Sequence, residues 1–155
     1  MPLKLLTPLA LAFLAFLPAR APSRPVVAAG LDDVVLEPAP IDPDWILDGN
    51  PVARSGLHSR AADDLAETRV WECTAGSFRW QFVWEETVLI LSGSVHVTAE
   101  DGSERVLSAG DVCYFEGGTS AVWTIPDHVR KIAFCRRKMP GPIALAVRLK
   151  RGAGG

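Results

Sequence analysis

Four aromatic side chains, Phe78, Trp80, Phe82 and Trp84, alternate with Arg79, Gln81 and Val83. A period of two belongs to a β-strand, whose side chains leave opposite faces in turn; a helix would scatter the same rings around its axis. A strand with one aromatic face needs a second layer to cover it. Thr87 to Leu91 and Val95 to Val97 extend the pattern, and Ala121 to Ile125 and Lys131 to Cys135 are two further apolar runs. Turn signals fall between the runs at Asp101-Gly102, Ala109-Gly110-Asp111, Gly117-Gly118 and Pro126-Asp127. Many short strands at such spacings indicate an antiparallel sandwich or barrel. There is no parallel-sheet pattern, phosphate loop or internal repeat.

At 155 residues, 48% of them hydrophobic, the chain can build one domain with a substantial core. Residues 1–29 read as a leader: LLTPLALAFLAFL follows Lys4 and leads to small residues ending at Ala29, the layout of a secretory signal peptide. The expected location is periplasmic or secreted, and cytoplasmic if the leader is not a signal. Residues 30–66, rich in Pro and Asp, read as an extended N-terminal arm, with an apolar knot at Trp45-Ile46-Leu47 and a short helical stretch from Arg60 to Ala66. Residues 67–138 hold the strands, and residues 139–155 form a basic tail.

All 18 acidic residues lie between Asp32 and Asp127, whereas Arg130 to Arg151 holds eight basic residues and no acid. The basic end suits weak contact with an acidic partner or anionic lipid, while the acidic body argues against nucleic acid. Cys73, Cys113 and Cys135 match no zinc spacing and stand in apolar runs, where a free cysteine is a small hydrophobe; in an exported chain one pair could be oxidised.

The stretches TRVWECTAGSFRWQFVWEETVLILSGSVHVTAEDG and VLSAGDVCYFEGGTSAVWTIPDHVRKIAF, with WILDGNPVARS upstream, resemble the small single-domain cupins related to ureidoglycine aminohydrolase. The likeness covers roughly residues 41 to 135 and rests on the order of W-x-C, E-x6-G, G-D and V-R-K. It implies an all-β fold, a single antiparallel jelly-roll barrel, and a homodimer paired through strands at the barrel edge.

Metal-bearing cupins carry G-x5-H-x-H-x3 or 4-E-x6-G and then G-x5-P-x-G-x2-H-x3-N. Here Glu86 and Gly93 keep the end of the first motif, but Trp80 and Phe82, or Arg79 and Gln81, stand at its histidines. The second keeps Gly110 and Gly118, with Ala121 at the histidine and Ile125 at the asparagine. One carboxylate of four ligands survives, and His58, His96 and His128 are too dispersed to replace the rest, so no metal or other cofactor is expected. By the motif's parity Trp80, Phe82, Glu86, Ala121 and Trp123 face inward. The expected site is an aromatic pocket for a small molecule, with Glu86 fixing its polar end and Arg79, Arg130 or Lys131 as its partner. Plain barrel filling by the same rings is the competing reading. An aminohydrolase- or lyase-type enzyme and a structural dimerising module are the other two functional classes. In a pocket open to water, Glu86→Gln is expected to cost little stability.

Overall fold

The computed structural model describes residues 25–144 and is antiparallel sheet with almost no helix. The strands are β1 (Glu37–Pro38), β2 (Ile46–Gly49), β3 (Ala53–Arg60), β4 (Ala66–Phe82), β5 (Glu85–Ala99), β6 (Glu104–Ser108), β7 (Val112–Phe115) and β8 (Thr119–Arg136). Their order in the sheet is β1-β3-β4-β8-β5-β6, with β2 also paired to β4 and β7 to β5. That path does not return to its start. The fold is the expected all-β antiparallel one, but its hydrogen bonds do not close a barrel.

Three strands are long enough to belong to two layers. β4, β8 and β5 run side by side, and their ladders break along one line: between Thr74 and Gly76 on β4, around Pro126 and Asp127 on β8, and between Gly93 and His96 on β5. Pro126-Asp127, expected to be a turn, is therefore a bulge inside one continuous strand. Proline has no N–H to give a ladder and is tolerated where pairing is already interrupted. Trp71 and Trp80 measure the bend. Nine residues apart on a straight strand they would be separated by about 30 Å, yet their ring centroids are 6.0 Å apart. The sheet doubles over along the crease and closes its two halves on one core.

That core is aromatic at its centre. Trp123, fully buried, stacks on Phe78 at 6.5 Å, meets Trp71 edge-on at 6.0 Å and touches Phe115 at 5.7 Å. Val88, Ile90, Val95, Val97 and Val129 surround it. A bulge shifts parity by one residue, which is why odd Trp71 and even Trp80 share the inner face. Trp84 leaves that face: it lies in the β4–β5 connection with the Arg137 guanidinium 4.2 Å over its ring.

Much of the expected N-terminal arm is sheet. β3 pairs with β4 along its length, Ile41 and Ala53 belong to the core, and Arg60 and Ala66 end strands where a short helix was expected. The segment before β1 lies on the outer face. Gly56 makes room for it, since a Cβ there would come within 2.4 Å of the Val35 carbonyl oxygen and 2.6 Å of Val34. Arg54 donates to the Leu36 carbonyl at 2.8 Å, and Arg130 to Asp32 at 2.6 Å.

The basic run from residue 130 likewise begins as strand, not as a free tail. Lys131 is buried, Arg136 pairs with Glu85 at 2.7 Å and Lys138 with Glu116 at 3.3 Å. The expected leader, up to residue 24, and Arg148, Lys150 and Arg151 lie outside the described residues.

Gly93, the glycine of E-x6-G, sits on the crease at φ +72°, and a Cβ there would fall 2.0 Å from the His128 carbonyl oxygen. Both the left-handed backbone and the collision with β8 oppose any side chain. Gly93→Ala is expected to lower stability by at least about 2 kcal/mol, measured as a fall in the denaturant midpoint. Gly102→Ala, also at positive φ but in open space, is the control and should cost less.

Candidate functional site

The inner faces of β3, β4, β5 and β8 converge on a cavity of about 280 Å³. Trp71 and Trp80 form its aromatic walls; Ser55, Arg69, Glu86, Lys131 and Cys135 supply polar groups, and Ala39 and Ala133 leave the space. Trp80 is backed by Trp45, edge-on at 5.7 Å, so the apolar knot before β3 buttresses the wall.

Glu86 and Lys131 form an ion pair, Lys131 Nζ donating to Glu86 Oε1. Glu86 is 9% exposed and Lys131 4%. The pair is diagonal: Glu86 lies opposite Cys135 on β8, four residues along the strand from Lys131, with Ala133 between. A larger side chain at 133 would stand in the way. The ammonium is also held 4.6 Å from the Trp123 ring centre and 5.0 Å from that of Trp71. Two cation–π contacts and a carboxylate together offset a desolvation cost of several kcal/mol per buried ion.

A second ionic group stands at the rim. Arg69 donates from Nε to Ser55 Oγ at 3.0 Å and from Nη1 to Glu67 Oε1 at 3.3 Å, and Glu67 also accepts from Arg60 at 3.1 Å. Cys135 lies within the field of Glu86, Lys131, Glu67 and Arg69, but burial dominates and pushes its thiol up to about 12; burial likewise pushes Cys73 to about 11. At neutral pH both are thiols, not thiolates, which removes Cys135 as a nucleophile. All three cysteines are free.

Of the seven residues expected at the site, the structure brings Trp80, Glu86 and Lys131 to the cavity. Phe82 is core, stacked on Phe115 at 4.3 Å, and Ala121 and Trp123 are buried beneath the site rather than lining it. Arg130 is on the opposite face of β8, tied to Asp32 and the Leu31 carbonyl. Alternation along one strand requires this, since 130 and 131 cannot face the same way. Lys131 is thus the partner chosen from the three. Trp71, Arg69, Ser55 and Cys135 were not anticipated.

The donor set does not fit the metal of the cupin motif. Trp80, Phe82 and Ala121 offer no ligand atom, and Glu86 is engaged by an ammonium. His58 contacts Ser59, His96 Glu104 and His128 Asp127, each away from the cavity. Among the described residues no three His, Cys, Asp or Glu side chains converge on one point.

Residues 60–133 match the family model of the EutQ-like cupin domain. A solved protein of unknown function from Pseudomonas syringae pv. tomato, of the DUF861 family, is 24% identical with a TM-score of 0.61; the match covers 66% of this chain and 45% of that one, less than half its length. The EutQ protein of Clostridium difficile is 16% identical with a TM-score of 0.52, over 64% of this chain and 81% of that one. A DUF861-family protein of Thermotoga maritima is 38% identical over 41% of this chain and 73% of that one, with a TM-score of 0.40. No curated protein matches the sequence. The family match and the likenesses to the Pseudomonas syringae and Clostridium difficile proteins support the cupin fold and do not extend to an aminohydrolase.

The ion pair changes what removing one charge should do. Glu86→Gln leaves a buried cation and is expected to cost about 3 kcal/mol, rather than the small loss expected of an open pocket. Glu86→Gln combined with Lys131→Met should recover most of it, and urea midpoints of the two single variants and the double variant measure the coupling. If the double variant is no more stable than Glu86→Gln, the pair is not the source of the loss.

The thiols give a pH test. With its folded value near 12, about one Cys135 in ten thousand is ionised at pH 8. Alkylation of native protein by iodoacetamide should therefore be slow at pH 8 and rise about tenfold per pH unit, followed site by site in a mass spectrometer. Rapid alkylation of Cys135 at pH 8 would contradict the burial argument.

Proposed function

We propose that this protein, a cupin-domain protein of the EutQ-like kind over its residues 60–133, holds a small organic molecule against the wall formed by Trp71 and Trp80 and uses the Glu86–Lys131 pair as a fixed polar floor. The observation that carries the reading is the cavity itself. It is about 280 Å³, walled by two indoles and floored by a buried ion pair. Cavities of this size with apolar walls and a few convergent polar groups are the usual form of a ligand site. Rings fixed by the core also lose little freedom on binding, so less of the gross interaction is spent on ordering.

The same residues argue for binding over chemistry. A general acid–base pair works with a proton free to move at a pKa near the working pH. Glu86 is tied to an ammonium, Cys135 remains a thiol, and no histidine faces the cavity. An aminohydrolase- or lyase-type reaction would need a second reactive group brought by the ligand.

Indole is the probe for the walls. At a hundredfold excess over its dissociation constant it should stabilise the protein by about 2.7 kcal/mol, raising the melting temperature by roughly 5 to 10 °C for a chain of this size. Trp80→Leu should weaken that binding at least tenfold, read by titration calorimetry. A melting temperature unmoved by indole and by any other flat uncharged ring would make Trp71 and Trp80 plain filling.

A further inference from the structure

The cavity has more donors than acceptors. Lys131 carries three N–H bonds and gives one to Glu86. Arg69 commits Nε to Ser55 and Nη1 to Glu67, and its Nη2 makes no hydrogen bond within the described residues. Against these, the acceptor at the floor is Glu86, one of whose oxygens is already taken by Lys131.

The charges lean the same way. Arg69 and Lys131 line the cavity against Glu86 alone, and Glu67, beyond the lining, is shared between Arg69 and Arg60. The three charged side chains that line the cavity, Arg69, Lys131 and Glu86, carry one net positive charge; beyond the lining, Arg60 is paired with both Glu67 and Asp64. A ligand without acceptors would leave donors unanswered, a neutral acceptor would leave the charge unanswered, and a cation would add repulsion. A single negative charge bearing two acceptor oxygens answers both.

Resting on the binding reading above, we propose that the ligand is a planar organic monoanion. Its ring lies against the wall formed by Trp71 and Trp80, and its carboxylate is received at the Arg69 side of the cavity. Arg69 is suited to this position, because a guanidinium matches a carboxylate in shape as well as charge. Ser55 and Glu67 already hold that guanidinium in place, so little side-chain freedom remains to be lost when the anion arrives.

Benzoate, benzamide and benzylammonium share one ring and differ in charge, which makes them the probes. Against the wild-type protein, benzoate should bind at least tenfold more tightly than benzamide, benzylammonium should be weakest, and added salt should weaken benzoate alone. Arg69→Gln should remove benzoate's advantage over benzamide. Should indole bind while benzoate shows no gain over benzamide, the pocket stands and the anion assignment falls. A benzylammonium complex as tight as benzoate's would overturn the assignment outright. Failure of every ring, charged or not, would remove the binding reading and this inference together. The wild-type series decides the matter even if Arg69→Gln fails to fold.

Discussion

A crease across three neighbouring strands is the constraint on which the rest of this structure depends. Long antiparallel strands are stiff ribbons, and a ribbon buries its apolar face only by meeting another layer. β4, β8 and β5 supply both layers themselves by bending at Thr74–Gly76, Pro126–Asp127 and Gly93–His96. Each bend has its own local device: a bulge on β4, a proline at the gap on β8, and on β5 a glycine pressed against the neighbouring backbone. Because the three breaks line up, the bend belongs to the sheet and not to one strand. Trp71, Trp80 and Trp123 meet as a consequence of it, and the cavity beside them is the space the bent sheet does not fill.

What the sequence made legible was set by how far each inference had to reach. Strand character, the aromatic inner face and the Asp101, Gly110 and Gly118 turns follow from residues within a few positions of one another, and all of these stand. Trp84 and Arg130 were misplaced for local reasons: the first falls beyond the end of β4, and the second has the wrong parity for the inner face. Trp71 was out of reach. On a straight strand its odd number puts it opposite Trp80, and only a bulge of one residue reverses that. Arg69 and Ser55 then follow Trp71 inward, since they share its face once β3 and β4 pair. The N-terminal stretch was hidden differently. Its Pro and Asp content reads as loop, and β3 becomes a strand because β4 offers it a ladder, a non-local cause that propensity does not record.

The place of the missing histidines is taken by a different solution to the same problem. With the motif's histidines replaced, Glu86 would be a lone carboxylate in the interior, and such a group is costly to bury. Here a lysine on β8 reaches diagonally to Glu86 on β5, and the pair ties together two strands that the motif's metal ligands would otherwise connect. Buried ion pairs give little net stability compared with apolar packing of the same volume, although losing one partner costs a great deal. Glu86 and Lys131 are therefore better understood as fixing one arrangement of the inner face than as a reserve of stability.

That arrangement also determines how the cavity can discriminate. Lys131 gives one of its three N–H bonds to Glu86 and is held against the faces of Trp71 and Trp123, so its charge is a fixed, buried background. Arg69, at the rim and held by Ser55 and Glu67, keeps an Nη2 that makes no hydrogen bond within the described residues. Under the proposed binding reading, a ligand entering beside the indoles meets apolar walls, whose attraction depends on shape and area, and the Arg69 guanidinium, whose attraction depends on chemistry. Walls of this kind separate similar molecules only weakly, by about 1 to 3 kcal/mol per methylene, whereas a site built to bond one polar group rejects molecules lacking it far more strongly. Under that reading, selectivity in this cavity resides in Arg69, and Trp80 sets the affinity for flat rings in general.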